Sequence, residues 1–482
     1  MNSRSPYLIP FYALFLLSVQ SFSQVGMGTT NPDPSAILDI VSATQGVLTP
    51  RMTSNQRTTI SSPAEGLLVF DIDEDVFYFY DTASSAWRKL ITDKNERNNY
   101  KLVKSDADLA DELAAGVTEY LLDSGTLYEI NGTINLAVPI NLNEAHISGQ
   151  DTNEDKLVSA GGTIFSGSSG GSIRKLTLTA SSGIVFNLSG SGAENLIFTD
   201  CVVANSNNVG SISDFNLVFL SVIQYINNSN GITYTDIEEL VLNSELWESN
   251  NGGVYVTMVG DFNIITKQGG HSHVTTAAAG FDVTGITSIS SGGGMHSVDF
   301  YGGGNYINGI SPHIGYNFTK DWNVDCPGIP VESDFVTTGY YYMTGNTTNT
   351  PFVTSDTPVK VVGATTPGSL YRTSSTNNKL VYEGKEAREF QVICTGTLDH
   401  RITPGGGARI YDFLLSKTPS GGVPAIVPAI SSERRFSNND IGNFTLVGLI
   451  NLEPGDAIEV YVSVNNVNNV DTDITRLSVV LK

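Results

Sequence analysis

The sequence predicts an all-β protein: a stacked parallel β-solenoid, preceded by a small β module and followed by a β-sandwich. The first observation is a recurring phrase. Ile173-Arg-Lys-Leu-Thr-Leu178 returns as Ala193-Glu-Asn-Leu-Ile-Phe198, Ile212-Ser-Asp-Phe-Asn-Leu217, Ile237-Glu-Glu-Leu-Val-Leu242 and Val259-Gly-Asp-Phe-Asn-Ile264, at intervals of about 19 to 25 residues. Each copy alternates apolar and polar side chains, so each reads as a strand that buries every second residue. One such coil is too small to cover its own apolar face. Stacking the coils makes one continuous core and leaves a long polar outer wall. The second observation is composition: only 16% of residues are charged, and 48 glycines, with many Asn, Ser and Thr, fill the segments between copies. The third is that residues from about 334 to 482 carry short alternating strands and no helical period.

Residues 1–23 read as a signal peptide that is cleaved. Arg4 precedes an apolar run from Phe11 to Val19, with Leu8 and Ile9 ahead of it, and Ser21-Phe22-Ser23 places small residues before Gln24. About a dozen apolar residues fall short of the ~20 needed to span a bilayer. The expected mature chain therefore starts at Gln24 and is secreted or held at the surface of a bacterium. No Cys lies here to accept a lipid, and nothing later is apolar enough to span a membrane.

Residues 24–92 form the first module. Ala36-Ile-Leu-Asp-Ile-Val41 is a strand, and Gly66-Leu-Leu-Val-Phe-Asp71 with Val76-Phe-Tyr-Phe-Tyr80 is a hairpin closed by Trp87. The run Gly26-Met-Gly-Thr-Thr-Asn-Pro32, then Leu38-Asp-Ile40, Pro50-Arg-Met52, Gln56-Arg57 and Pro63-Ala-Glu-Gly-Leu-Leu68 resembles the N-terminal module of phage tail-fibre-like bacterial surface proteins. Three short strands cannot support a large core, so assembly with sister chains is expected to stabilise it. Residues 93–118 are a linker, Asp93-Lys-Asn-Glu-Arg-Asn-Asn99, and a short helix capped by Ser105, with Leu109 and Leu113 four apart on one face. That helix is expected to cover the open first coil, whose unpaired edge invites aggregation.

Residues 119–323 are the solenoid, opening with Tyr128-Glu-Ile130, Ile134-Asn-Leu136, Ile140-Asn-Leu142 and His146-Ile147. The stretch from Gly125 to Gly149 is similar to the start of the pectate-lyase-like right-handed β-helices of phage tail proteins, a resemblance that implies a right-handed β-helix shaft. Periodicity weakens at Gly269-Gly-His-Ser-His273 and Gly292-Gly-Gly294. In residues 334–482, Ala387-Arg-Glu-Phe-Gln-Val-Ile393, Ile410-Tyr-Asp-Phe-Leu-Leu415, Phe444-Thr-Leu-Val-Gly-Leu-Ile450 and Ile458-Glu-Val-Tyr-Val462 are strands of a β-sandwich. With Leu380-Val-Tyr-Glu-Gly384 and Leu477-Ser-Val-Val-Leu481 they resemble the jelly-roll heads of fibres and of the C1q/tumour-necrosis-factor group. The resemblance implies a jelly-roll head and a homotrimer.

Charge and cysteine content limit the function. A formal net charge of -23 repels phosphate backbones, so nucleic acid is not an expected partner. Neutral glycans, cation-bridged glycans and protein surfaces remain. Cys201, Cys326 and Cys394 are odd in number for an oxidising compartment, and Cys201 sits at a buried solenoid position.

Solenoids of this kind include glycan lyases and hydrolases, and the residues can be weighed against that chemistry. A lyase must neutralise a uronate, yet residues 131–320 hold 15 acidic and five basic side chains, Arg174 being the single Arg. A hydrolase needs two carboxylates about 5 to 10 Å apart, and Asp214, Glu238, Glu239, Glu245, Glu248 and Asp261 are the candidates. Most such residues on solenoid turns are solvated surface. His271 and His273 flank one serine and make a metal half-site with no third ligand nearby in sequence. Asp71-Ile-Asp-Glu-Asp75 gathers four carboxylates at a hairpin turn but lacks the spacing of an EF-hand; Ca²⁺ is the one cofactor worth considering, and otherwise none is expected. Tyr340, Tyr341 and Tyr342 form a possible sugar-stacking platform at the entry of the head, with core and interface packing as the competing role. Gly167-Ser-Ser-Gly-Gly171 matches a nucleophile elbow only formally, because a strand follows it rather than a helix. The expected function is surface attachment or recognition by a trimeric fibre-like protein that binds glycan or protein through its head. A tailspike-like polysaccharide depolymerase and a purely structural shaft are the alternatives.

Overall fold

The computed structural model describes residues 24–90, 99–114, 116, 118–402 and 407–482. The signal-peptide segment, most of the joint from Asp93 to Asn99 and the tip of the loop that starts at Thr403 lie outside the described residues. The chain falls into two compact units, residues 1–96 and 97–482.

In the first unit Val25–Met27 pairs in parallel with Leu38–Ile40. A second sheet runs Arg51–Met52, Leu68–Asp71, Val76–Asp81, Ala86–Lys89, parallel at the first contact and antiparallel at the two hairpins. A five-residue helix, Ser54–Thr58, fits the crossover because Thr53 and Gln56 cap it reciprocally: Gln56 N–H donates to Thr53 Oγ1 at 3.2 Å and Thr53 N–H to Gln56 Oε1 at 2.9 Å. This helix delivers Arg57 onto the sheet. Its guanidinium lies 3.7 Å from the centre of the Tyr78 ring, and its Nε is 2.8 Å from Asp71 Oδ2. Burial raises the Asp71 carboxyl, but donation from Arg57, Ser54 and the N–H groups of Asp73 and Glu74 more than offsets that and holds it at about 2. Among the described residues of this unit, Val69 and Tyr78 are the buried apolar side chains, whereas Ile37, Leu48 and Val47 are 81%, 78% and 61% exposed.

Nineteen strands, from Tyr100–Val103 to Trp322–Asp325, form one parallel sheet wound into about nine turns, a β-solenoid. The sheet starts earlier than the expected linker allows, because Tyr100–Val103 pairs with Leu127–Ile130 and buries Val103. The expected helix is a 3₁₀ turn over Asp106–Glu112, in which Leu109 enters the core while Leu113 stays exposed. With three residues per turn rather than 3.6, residues four apart no longer share a face.

Register stacks like on like. One interior column runs Ile147, Ile173, Phe198, Leu220, Leu242, Lys267, Met295, Val324, each opposite the next in the adjoining coil. A neighbouring column carries Val203, Tyr225, Trp247, Ser272 and Phe300, with the rings of Tyr225 and Trp247 stacked at 3.8 Å. Pairing continues through Gly269–His273 and Gly292–Gly294, where the sequence pattern fades. One corner recurs in the left-handed region, at Lys175, Asp200, Val222, Ser244, Gly269 and Ser297, with φ between 51° and 65°. Val222 is the strained member, since a β-branched side chain crowds the backbone there.

The solenoid leads into the head at Asp334. Arg372, itself buried, pairs with the Asp334 carboxylate and donates to the Trp322 carbonyl at 2.5 Å, while the N–H groups of Lys385 and Glu386 also reach Asp334. The head is a jelly-roll-like sandwich of two antiparallel sheets. One runs Thr366–Tyr371, Thr338–Thr344, Val470–Leu481, Arg388–Asp399, Ile441–Leu452; the other runs Thr373–Thr376, Lys379–Tyr382, Ala457–Val464, Arg409–Thr418, Ala425–Phe436. Tyr341, Phe390, Cys394, Phe413, Phe444 and Val460 meet between them, with Phe413 and Phe444 stacked at 3.8 Å.

Candidate functional site

The carboxylates that the sequence offers as a catalytic pair take different positions on the solenoid. Asp214 occupies a left-handed corner at φ 58°, half-buried. Glu238 and Glu239 are both exposed, because Ile237 and Leu240 are both buried and the register slips between Thr235 and Glu239. Asp261 is exposed; its N–H donates to Asp236 Oδ1 at 2.8 Å and its Oδ1 accepts from Ser288 Oγ at 2.7 Å. Asp236, one coil after Asp214 at a matching corner, is a neighbour the sequence reading passed over. Glu245 is not a surface residue. It is fully buried, accepts from Lys267 Nζ at 3.0 Å and from the Tyr225 hydroxyl at 3.1 Å, and cannot reach a glycan. Glu245 and Lys267, on adjoining coils, carry opposite charges that satisfy each other inside the core.

His271 and His273 come together with residues from two other coils. His271 lies opposite Asp299, His273 opposite Tyr301, and Trp247 opposite Ser272, which sets Glu248 beside His273. The ring of Tyr301 is 4.5 Å from that of His273 and 5.7 Å from that of His271. His271 Nε2, buried and without a hydrogen-bond partner among the described residues, is 3.6 Å from Glu248 Oε1, and that oxygen accepts from Gln224 Nε2 at 3.4 Å. Partial burial pushes the Tyr301 hydroxyl up, and the charges of Glu248 and Asp299 push it further. Among the described residues no group of three or more His, Cys, Asp or Glu side chains is arranged to hold a metal ion. In the Asp71–Asp75 turn, Asp71 is committed to Arg57.

The three head tyrosines divide. Tyr341 is buried and its hydroxyl donates to Asn378 Oδ1 at 2.8 Å, so strand alternation removes it from any platform. Tyr340 and Tyr342 face outward with ring centres 5.8 Å apart. They border a cleft of about 430 Å³ with Thr395, Thr397, Asn443 and Arg476. On the same sheet face Val447 and Leu449 are 54% and 62% exposed. At the end of that sheet Asp399 and Asp473 stand directly opposite each other, and Asp473 Oδ1 has no hydrogen-bond partner among the described residues. Burial raises the Asp473 carboxyl, and the charges of Asp399 and Asp471 raise it further. Cys201, Cys326 and Cys394 are all buried and unpaired; burial pushes the Cys201 thiol up to about 12.

Residues 26–104 match the family described as the phage tail like trimerisation region. This supports a homotrimeric, tail-fibre-like protein, extracellular or virion-associated. No curated protein matches the chain. Among solved structures, crystal structures of murine APRIL at pH 5.0 and pH 8.0 align with TM-scores of 0.22 at 10% and 11% identity, each covering 30% of this chain and 98% of that one. Among the described residues no helix is long and apolar enough to cross a membrane.

Proposed function

We propose that the protein is an exported homotrimer that attaches to a surface, with recognition of glycan or protein by its C-terminal head. The observation that carries the reading is the trimerisation-region match over residues 26–104. The first unit supports it independently: two buried apolar side chains beside an exposed Ile37, Val47 and Leu48 leave a surface that needs sister chains to cover it. Recognition at the head rests on the outward Tyr340 and Tyr342 beside their cleft, since aromatic faces on a rigid sandwich are suited to sugar rings and to protein contacts alike. Three heads on one trimer make a weak single site effective.

Native mass spectrometry of the full chain tests the assembly. Three chains per particle are expected, and Ile37→Asp with Leu48→Asp should release monomer. A wild-type monomer at micromolar concentration refutes the reading. For the head, full-length Tyr340→Ala/Tyr342→Ala should lose binding to target cells while remaining trimeric; undiminished binding removes the head from recognition.

A further inference from the structure

We propose that the solenoid wall formed by Glu248, His271, His273 and Tyr301 is a subsite for a neutral pyranose of a glycan chain, distinct from the head. Three successive coils supply it, and parallel register brings them into line. Neighbouring strands are about 4.8 Å apart, so three coils present a platform roughly 10 Å long, the scale of a disaccharide. Tyr301 is 42% exposed and stands over the two imidazoles at 4.5 and 5.7 Å. These rings offer an apolar surface to the C–H face of a sugar. Beside them, Glu248 Oε1 is held by Gln224 Nε2 at 3.4 Å and lies 3.6 Å from His271 Nε2. The Glu248 carboxylate, the His273 imidazole and the Tyr301 phenol supply acceptors and donors for ring hydroxyls.

Charge selects the ligand class. The patch carries Glu248 and Asp299 and none of its members is Lys or Arg, so a uronate or sialate would meet like charge with no compensating partner.

The test is a glycan array carrying neutral and anionic oligosaccharides, probed with full-length protein. Neutral glycans should bind; Tyr301→Ala and His273→Ala should each weaken the bound glycan roughly tenfold or more, equivalent to about 1.4 kcal/mol. Tyr301→Phe, which keeps the ring, should retain most of the binding, and circular dichroism should show each variant folded. Absence of neutral-glycan binding, a preference for anionic glycans, or binding unchanged by Tyr301→Ala overturns the proposal. Binding that survives Tyr301→Ala but is lost in Tyr340→Ala/Tyr342→Ala assigns the glycan to the head instead, so the two readings fail separately.

Discussion

Replacing Lys267 by Met should destabilise the solenoid far more than the loss of one exposed ion pair would. Lys267 and Glu245 are both fully buried, 3.0 Å apart, in a core where Lys267 lies between Leu242 and Met295 in its column. Met fits that column by shape, yet Lys267→Met leaves the Glu245 carboxylate with the Tyr225 hydroxyl as its remaining hydrogen-bond partner. Removing one member of a buried pair costs about 3–5 kcal/mol, because an uncompensated charge stays in the interior. Removing both should not. Glu245→Leu/Lys267→Met should fall within about 1 kcal/mol of wild type, or be more stable, since apolar replacements of buried pairs are often neutral or favourable. The assay is guanidinium unfolding followed by far-UV circular dichroism and by the fluorescence of Trp247, which stacks 3.8 Å from Tyr225 and so senses the same region. The coupling, read as the double variant against the sum of the singles, should be about 3 kcal/mol or more. A single-variant cost below about 1 kcal/mol would show that water or backbone relaxation already screens the pair, and the burial argument would fail.

Three further outcomes follow from local physics. Because the Asp71 carboxyl sits at about 2, below its unfolded value of ~4, its contribution is fully present above pH 4 and is lost as pH falls toward 2; amide exchange at residues 68–71 should accelerate over that window, and Arg57→Leu should flatten the dependence. Asp473 is the opposite case: its carboxyl is raised, so the favourable protonated state is lost as pH rises, and Asp473→Asn should raise the melting temperature at pH 7 with a smaller gain at pH 4. A gain of equal size at both pH values would contradict the repulsion from Asp399. Val222→Asn should stabilise by about 1 kcal/mol by relieving the left-handed strain at φ 58°, measured by denaturant midpoint, and a loss of stability would mean that its half-exposed side chain contributes more than the strain costs.

The architecture was legible because a solenoid repeats its own instructions. Ile173, Phe198 and Leu220 stand in one interior column in successive coils, and although the copies of the recurring phrase are offset along the winding, their apolar-polar alternation marks each coil. Lys267 broke the pattern. A charge at an inward position reads as a fault in the repeat until its partner Glu245, one coil back, is placed beside it, and contact across coils is carried by register rather than by local sequence. The same limit hid the wall patch: His271 and His273 read as a metal half-site, whereas Tyr301, 28 residues after His273, is the ring that stands over them. The sequence offered Tyr340, Tyr341 and Tyr342 as one platform, but strand alternation turns Tyr341 inward. In the first unit, the small core was foreseeable from three short strands, while the Arg57–Asp71 pairing depended on a capped helix too short to show a period.

The left-handed corners at Lys175, Asp200, Val222, Ser244, Gly269 and Ser297 act as a datum line for the whole winding. Successive corners are separated by 22 to 28 residues, yet the residues just ahead of them stay opposite one another, Thr199 on Ser221, Ser221 on Asn243, Asn243 on Gln268, Gln268 on His296. Added residues are taken up before the corner, by register slips between Thr235 and Glu239 and between Thr257 and Ile264, and the turn Thr275–Ala278 lies outside the paired strands. One residue inserted just ahead of Ser244 would turn the approaching strand inside out and expose its apolar set. A whole peptide spliced at Thr276 would leave every interior side chain in its place. The circuit is thus editable on one side and fixed on the other, which makes the turn at Thr276 a mounting point for added epitopes.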